Sequence, residues 1–263
     1  MKYRPIIALI LLLAFGAARM PFEHQLTAEH RAAFFHTADI NINLRKEIGP
    51  FGILAALSGF RAIVADVLWI QAFTAWTHTQ WGRMVLLFNS VVELQPREVM
   101  FWDMASWHMA WNASVAAMDD PNQPNGVLRV RTAHQYYKLG EDYLLRGIQN
   151  NPDRYELYDR LAMLYKEKFK DSCKAADMYQ KASVFKDAPV YEIRFYGYEL
   201  SRCPGQEQKA YELLRKLYLQ GQNEWLPTLL ERLAYLQDKL NVPAAERVYN
   251  PSKPSPAPSP THP

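Results

Sequence analysis

The sequence predicts an all-α fold assembled as a solenoid of helix pairs. Three observations point there: a pattern that recurs at one fixed offset, helical spacing inside each copy, and prolines that punctuate the copies. Tyr158, Leu161, Ala162, Tyr165, Ala175, Tyr179 and Ala182 are answered by Ile193, Tyr196, Gly197, Leu200, Ala210, Leu214 and Leu217, each 35 residues later without a gap. A period of about 34 residues is the mark of stacked helix pairs, in which each unit buries its apolar face only against its neighbours.

The elements follow in order. Lys2 and Arg4 precede an apolar run from Pro5 to Ala18, closed by Arg19. A positive start before an apolar stretch has the form of an export signal. The run would span about 21 Å as a helix, short of the ~30 Å bilayer core. Residues 1–21 are therefore expected to be either a signal peptide cleaved near Ala18 or an uncleaved signal anchor. The flanking charges place everything after them outside the cytoplasm. Residues 22–58 form a helical spacer with little frame. The apolar stretch from Phe51 to Phe73 contains Arg61 and Asp66, each costly at a bilayer centre. It is read as a buried first helix in which each of these charges finds a structural partner. Trp69, Phe73 and Trp76 are expected in the core.

The solenoid is expected over 59–245. Its clearest unit is 153–189. There, Tyr158, Leu161, Ala162 and Tyr165 fall at i, i+3, i+4 and i+7, Asp171 and Ser172 offer N-caps for a second helix, and Pro189 closes the copy. The unit 190–222 echoes it. The same step backwards lands on Gly140, Leu144 and Gly147, with Pro152 closing. The first helix of that unit, carrying Trp102, Ala105, Ser106 and Met109, lies 21 residues too early. The unit therefore spans 97–152 with an insertion near 119–130, rich in Asp, Asn, Pro and Gly and strong in turn character. A further unit covers about 59–96. Trp225 to Leu240 reads as a capping helix with Pro227 in its first turn, within a cap at 223–245. Residues 246–263, dense in proline, are expected to be disordered.

These residues resemble the tetratricopeptide repeat: an aromatic, Leu-Ala and Tyr in the first helix, then Ala, an aromatic and Ala in the second, and a late proline. The stretch Gly59–Ala72, with Leu94-Gln95-Pro96 and Trp107–Asn112, is similar to a group of exported bacterial tetratricopeptide proteins over about 60–220. The resemblance implies a right-handed α-solenoid in the bacterial cell envelope and brings no activity with it. It also implies a concave groove lined by the first helix of each pair. The groove positions are Met100, Asp103, Trp107 and Trp111; Glu156, Asp159, Met163 and Lys166; and Tyr191, Arg194, Tyr198 and Arg202. Trp107 and Trp111 could equally pack as core beneath the insertion.

Little in the chain suggests chemistry. His24, His30 and His36 do not converge on a helix, and His78, His108 and His134 stand isolated among aromatics. No HExxH, GxSxG or glycine-rich phosphate loop is present in the sequence. Asp119, Asp120, Asn122 and Asn125 lack the spacing of a calcium loop. Asn112-Ala113-Ser114 is a sequon placed within a helix. No catalytic residue, cofactor or metal is expected, and a net charge of +3 gives no basic stripe for nucleic acid. Cys173 and Cys203 lie at interhelix loops of consecutive copies. Two free thiols are the default reading, and a disulfide is the alternative in an oxidising compartment.

The expected function is a non-enzymatic scaffold of the envelope or periplasm that holds a protein or peptide partner in its groove, tethered to the membrane if the N-terminal segment is retained. The alternatives are an envelope enzyme or ligand-binding subunit with an aromatic pocket at Trp102–Trp111 under the insertion, and a structural spacer.

Overall fold

The computed structural model describes residues 59–250 and, near the N-terminus, residues 7, 10, 11, 14–18 and 21. The expected spacer (22–58) and most of the proline-rich tail lie outside the described residues. The described chain is all-helical, with no strand. Its elements are α1 (Arg61–Thr77), α2 (Trp81–Leu94), α3 (Val99–Trp107), a π-helical stretch (His108–Ala113) leading straight into α4 (Ser114–Met118), and α5 (Gly126–Asn150). These are followed by α6 (Tyr155–Leu164), which runs into a second π stretch (Tyr165–Phe169), and then by α7 (Ser172–Ala182), α8 (Tyr191–Leu200), α9 (Glu207–Tyr218), a 3₁₀ turn (Gln222–Glu224) and α10 (Pro227–Lys239). The chain divides into two compact units, Met1–Leu157 and Tyr158–Pro263.

In the first unit α1 packs on α2, and α5 packs along α3, the π stretch and α4. Short connections join neighbouring helices, as expected of helical hairpins. Glu98 and Asn125 cap α3 and α5 with side-chain oxygens that accept Met100 N–H (3.3 Å) and Val127 N–H (2.9 Å). Two glycines set the spacing of α3 and α5. A Cβ on Gly140 would sit 2.8 Å from Ala110 Cβ and 3.1 Å from the Ser106 carbonyl; one on Gly147 would sit 2.9 Å from Trp102. Trp102 is buried, and its indole N–H donates to the Pro96 carbonyl at 2.9 Å. The Asn151 amide donates to the same oxygen at 2.9 Å, so the Pro96 turn is tied to the end of α5.

In the second unit α8 packs on α7 and α9, and α10 closes over α9. Asp171 caps α7 by accepting Lys174 N–H at 3.0 Å. Pro227 opens α10, as expected of a residue without an N–H to lose. Gln237 is fully buried; its Oε1 accepts from Val248 and Tyr249 N–H, and its Nε2 donates to the Tyr249 carbonyl, strapping residues 248–249 onto α10.

The 35-residue echo recurs in burial. Leu161, Ala162 and Tyr165 are buried, and so are Tyr196, Gly197 and Leu200; Ala175, Tyr179 and Ala182 are matched by buried Ala210, Leu214 and Leu217. Four expectations are corrected. The extra length between the halves of the second unit is mostly helix: α5 begins at Gly126, so only residues 119–125 form the loop. Asp66 is exposed rather than buried with a structural partner, because it lies on the face of α1 opposite Val64, Leu68 and Ala75. Phe73 is exposed and not core. Cys173 and Cys203 are not free thiols. They form a disulfide, which their Cα separation of 4.9 Å permits, joining the start of α7 to the turn after α8.

Candidate functional site

In the first unit the residues expected to line a groove lie along α3 and its continuation. Met100 is 50 % exposed and Trp107 39 %, while Asp103 and Trp111 are half-buried. Trp107 and Trp111 stack on each other, with ring centroids 4.8 Å apart and planes 10° from parallel. Val115 and Met118 extend the exposed apolar row into α4. The stacked pair therefore forms an aromatic platform at the surface, with Trp107 exposed and Trp111 half-buried.

Local chemistry explains the wider helical turn beneath the platform. The Ser114 hydroxyl donates to the Ala110 carbonyl at 2.6 Å, and such side-chain bonds compete with the helix for its acceptors. The Asn112 amide lies 2.9 Å from Nδ1 of His108, one turn earlier. His108 is buried against Trp76 and Phe88, with ring centroids at 5.2 and 5.6 Å. Burial pulls its pKa down to about 4, so the imidazole is neutral near pH 7. Accepting from Asn112 leaves Nδ1 unprotonated and places the proton on Nε2. Single π turns inside α-helices recur at functional positions.

A cleft of about 530 Å³ opens beneath the 119–125 loop, lined by Trp81, Asp119, Asp120, Arg129, Thr132 and Tyr136. Its aromatic walls are Trp81 and Tyr136. Trp102, expected to form a pocket there, is instead part of the core. The loop spends its oxygens on its own turns: Asp120 Oδ1 accepts Asn122 N–H at 2.9 Å, and Gln123 Oε1 accepts Asn125 N–H at 3.2 Å. Among the described residues no group of three or more His, Cys, Asp or Glu is placed to hold a metal ion. The remaining expected residue of this unit, Glu156, is half-buried and pairs with Arg154 at 3.1 Å.

In the second unit the expected residues separate. Tyr191 is 38 % exposed and stands 5.3 Å from Phe195, an exposed aromatic that the sequence reading did not select. Arg194 is held by Glu224 through two hydrogen bonds of 2.7 and 2.6 Å, so its guanidinium ties α8 to the 3₁₀ turn. Tyr198, expected on the groove, is only 6 % exposed and lies near that ion pair. Arg202 is exposed and bonds the buried Glu199 at 2.8 Å. Asp159 and Met163 are half-buried, and Lys166 is exposed and pairs with Glu167 at 3.1 Å.

The sequence reading also missed a buried acid. Glu192 has no exposure, and neither carboxylate oxygen has a hydrogen-bond partner. Desolvation first, then the charge of Asp159, pushes its pKa up to about 8, partly offset by Arg160. Glu199, one helical heptad later, is buried too but satisfied, accepting from the Ser172 hydroxyl at 2.8 Å and from Arg202. The signal was in the repeat: a 35-residue step carries buried Leu157 onto Glu192 and buried Leu164 onto Glu199. Compared with known proteins, the chain matches no protein-family model and no curated protein.

Proposed function

We propose that the protein is a non-enzymatic scaffold built of tetratricopeptide-like helix pairs, working in the bacterial cell envelope and holding a peptide or helix of another protein on its exposed aromatic face. The observation that carries this reading is the stacked Trp107–Trp111 pair, set in an exposed row with Met100, Val115 and Met118. Rigid stacked aromatics offer large contact area at little entropic cost, and flexible methionines adapt around them. An extended or helical segment laid along this row would bury the apolar surface now facing solvent.

The envelope location rests on the N-terminal sequence, with Lys2 and Arg4 before an apolar run. The Cys173–Cys203 disulfide supports it, because such bonds persist where thiols are oxidised. The test is cross-linked isolation of the full-length protein from its own membranes. A defined partner should be recovered with the native chain and with an Arg154→Ala control, and lost with Trp107→Ala/Trp111→Ala. Equal recovery by all three chains would overturn the assignment.

A second reading is favoured by one observation, the cleft beneath the 119–125 loop. Its mixed lining of Trp81, Tyr136, Arg129 and Asp119 suits a small polar ligand. In that reading the protein is a ligand-binding subunit, and saturable binding abolished by Arg129→Ala and unaffected by Trp107→Ala would establish it.

A further inference from the structure

α1 is apolar on nearly all sides. Its only polar residues are Arg61, Asp66, Gln71, Thr74 and Thr77. Helices of this kind are found buried in a large core or in contact with lipid, yet one face of α1 is open. Val64, Ala65, Leu68, Ala72 and Ala75 are buried, and Trp69 and Trp76 reach Phe101 and His108 at 5.1 and 5.2 Å. On the opposite side Ile63, Val67 and Ile70 recur at i, i+4 and i+7 and are 57, 49 and 64 % exposed, with Phe73 at the margin.

Two further observations fit lipid on this face. The Thr74 hydroxyl donates to the Ile70 carbonyl at 3.1 Å and the Thr77 hydroxyl to the Thr74 carbonyl at 2.8 Å, so both hydroxyls are satisfied without water. This internal bonding lets threonine sit in a lipid-facing helix. In addition, the N-terminal apolar segment meets α1 at its start: the Phe15 and Phe60 rings lie 6.5 Å apart, and Ile7, Ile10, Leu11 and Phe15 are themselves exposed. Exposed apolar side chains thus stand on both, and the two meet at the Phe15–Phe60 pair.

We propose that the open face of α1, centred on Ile63, Val67 and Ile70, contacts the lipid bilayer, with α1 lying in the membrane interface beside the N-terminal segment. The inference rests on the reading of that segment as a retained membrane anchor. An interfacial helix buries its apolar side roughly 5–10 Å into the boundary of headgroups and acyl chains. Asp66, at the stripe's edge, would then lie toward the headgroups.

The test is nitroxide accessibility in the full-length protein reconstituted into vesicles of phosphatidylethanolamine and phosphatidylglycerol. Single cysteines replace Ile10, Ile63, Val67, Ile70 or the exposed Val184 of the second unit, with Cys173 and Cys203 left in their disulfide and helicity checked for each chain. Labels at Ile10, Ile63, Val67 and Ile70 should be several-fold more accessible to oxygen than to a water-soluble nickel chelate, and the label at Val184 the reverse. If Ile10 lies in lipid while the α1 labels lie in water, the α1 surface is refuted and the anchor stands. If all labels lie in water, the anchor reading fails and takes the inference with it. Protection of the α1 labels from both reagents would mean that protein covers them, and would also overturn the proposal.

Discussion

Glu192 is a buried residue whose chemistry ties stability to pH. Its carboxyl sits where the preceding copy of the repeat has Leu157, with no hydrogen bond to offset the loss of water. Its folded pKa of about 8 lies above the ordinary value, so the unfolded chain gives up this proton first. Stability is then unaffected below about pH 4.5, falls as pH rises, and levels off above about pH 8. Glu192→Leu, which restores the residue of the preceding copy, should flatten this dependence and stabilise the protein by up to about 5 kcal/mol at alkaline pH. Urea unfolding between about pH 5 and pH 9 measures it. A native stability that does not fall over that range would show that the carboxyl finds a partner. The position was legible once the 35-residue frame was applied to every residue. The glycines were legible only in part. Gly140 and Gly147 fit the frame of a second helix, but the sequence could not show that a Cβ at Gly140 would meet Ala110 at 2.8 Å. Gly140→Ala should cost about 1–3 kcal/mol through overpacking. Gly82→Ala, where a Cβ meets nothing within 4 Å, should stabilise α2 by up to about 1 kcal/mol. Thermal unfolding of the two variants should shift in opposite directions.

At the scale of elements, the helices were legible where apolar spacing and caps agree. Asp171 caps α7 and Pro227 opens α10 as the sequence suggests. The extent of α5 was not legible, because the polar Asp, Asn, Pro and Gly run over 119–126 carries its turn character up to the first residue of the helix, until Asn125 is seen capping it at Val127 N–H. The π stretches left no periodic trace. The first depends on Ser114 taking the Ala110 carbonyl, a choice of side-chain geometry rather than of hydrophobic pattern. The roles of Arg194 and Tyr198 changed for a similar reason. Helical spacing points both outward, but the 3₁₀ turn brings Glu224 onto Arg194, and pairing that buried carboxylate outweighs exposure of the arginine, while Tyr198 is buried nearby. The disulfide belongs to this scale as well, since it closes a loop of 30 residues between α7 and the end of α8. Removing it with Cys173→Ser/Cys203→Ser should destabilise the second unit by about 3–4 kcal/mol, as chain-entropy estimates for such a loop give. A midpoint of urea unfolding unchanged by the double substitution would argue against the bond.

At the scale of the whole molecule, described residues that are all-helical and repeat their burial pattern at one offset present many surfaces, and the sequence alone does not rank them. The structure separates them by what each side chain already touches. Arg194 and Arg202 are engaged with Glu224 and Glu199, whereas Met100 and Trp107 present apolar area to solvent. The proposed partner surface therefore contracts from twelve positions to the platform on α3 and its continuation. The most direct measurement of the scaffold reading is a photo-reactive amino acid placed at Trp107 in the full-length protein within growing cells, compared with the same residue at exposed Val184. A discrete protein adduct at position 107, absent at 184 and lost when Trp111 is changed to Ala, is the expected result. Adducts at both positions alike, or at neither, would contradict it.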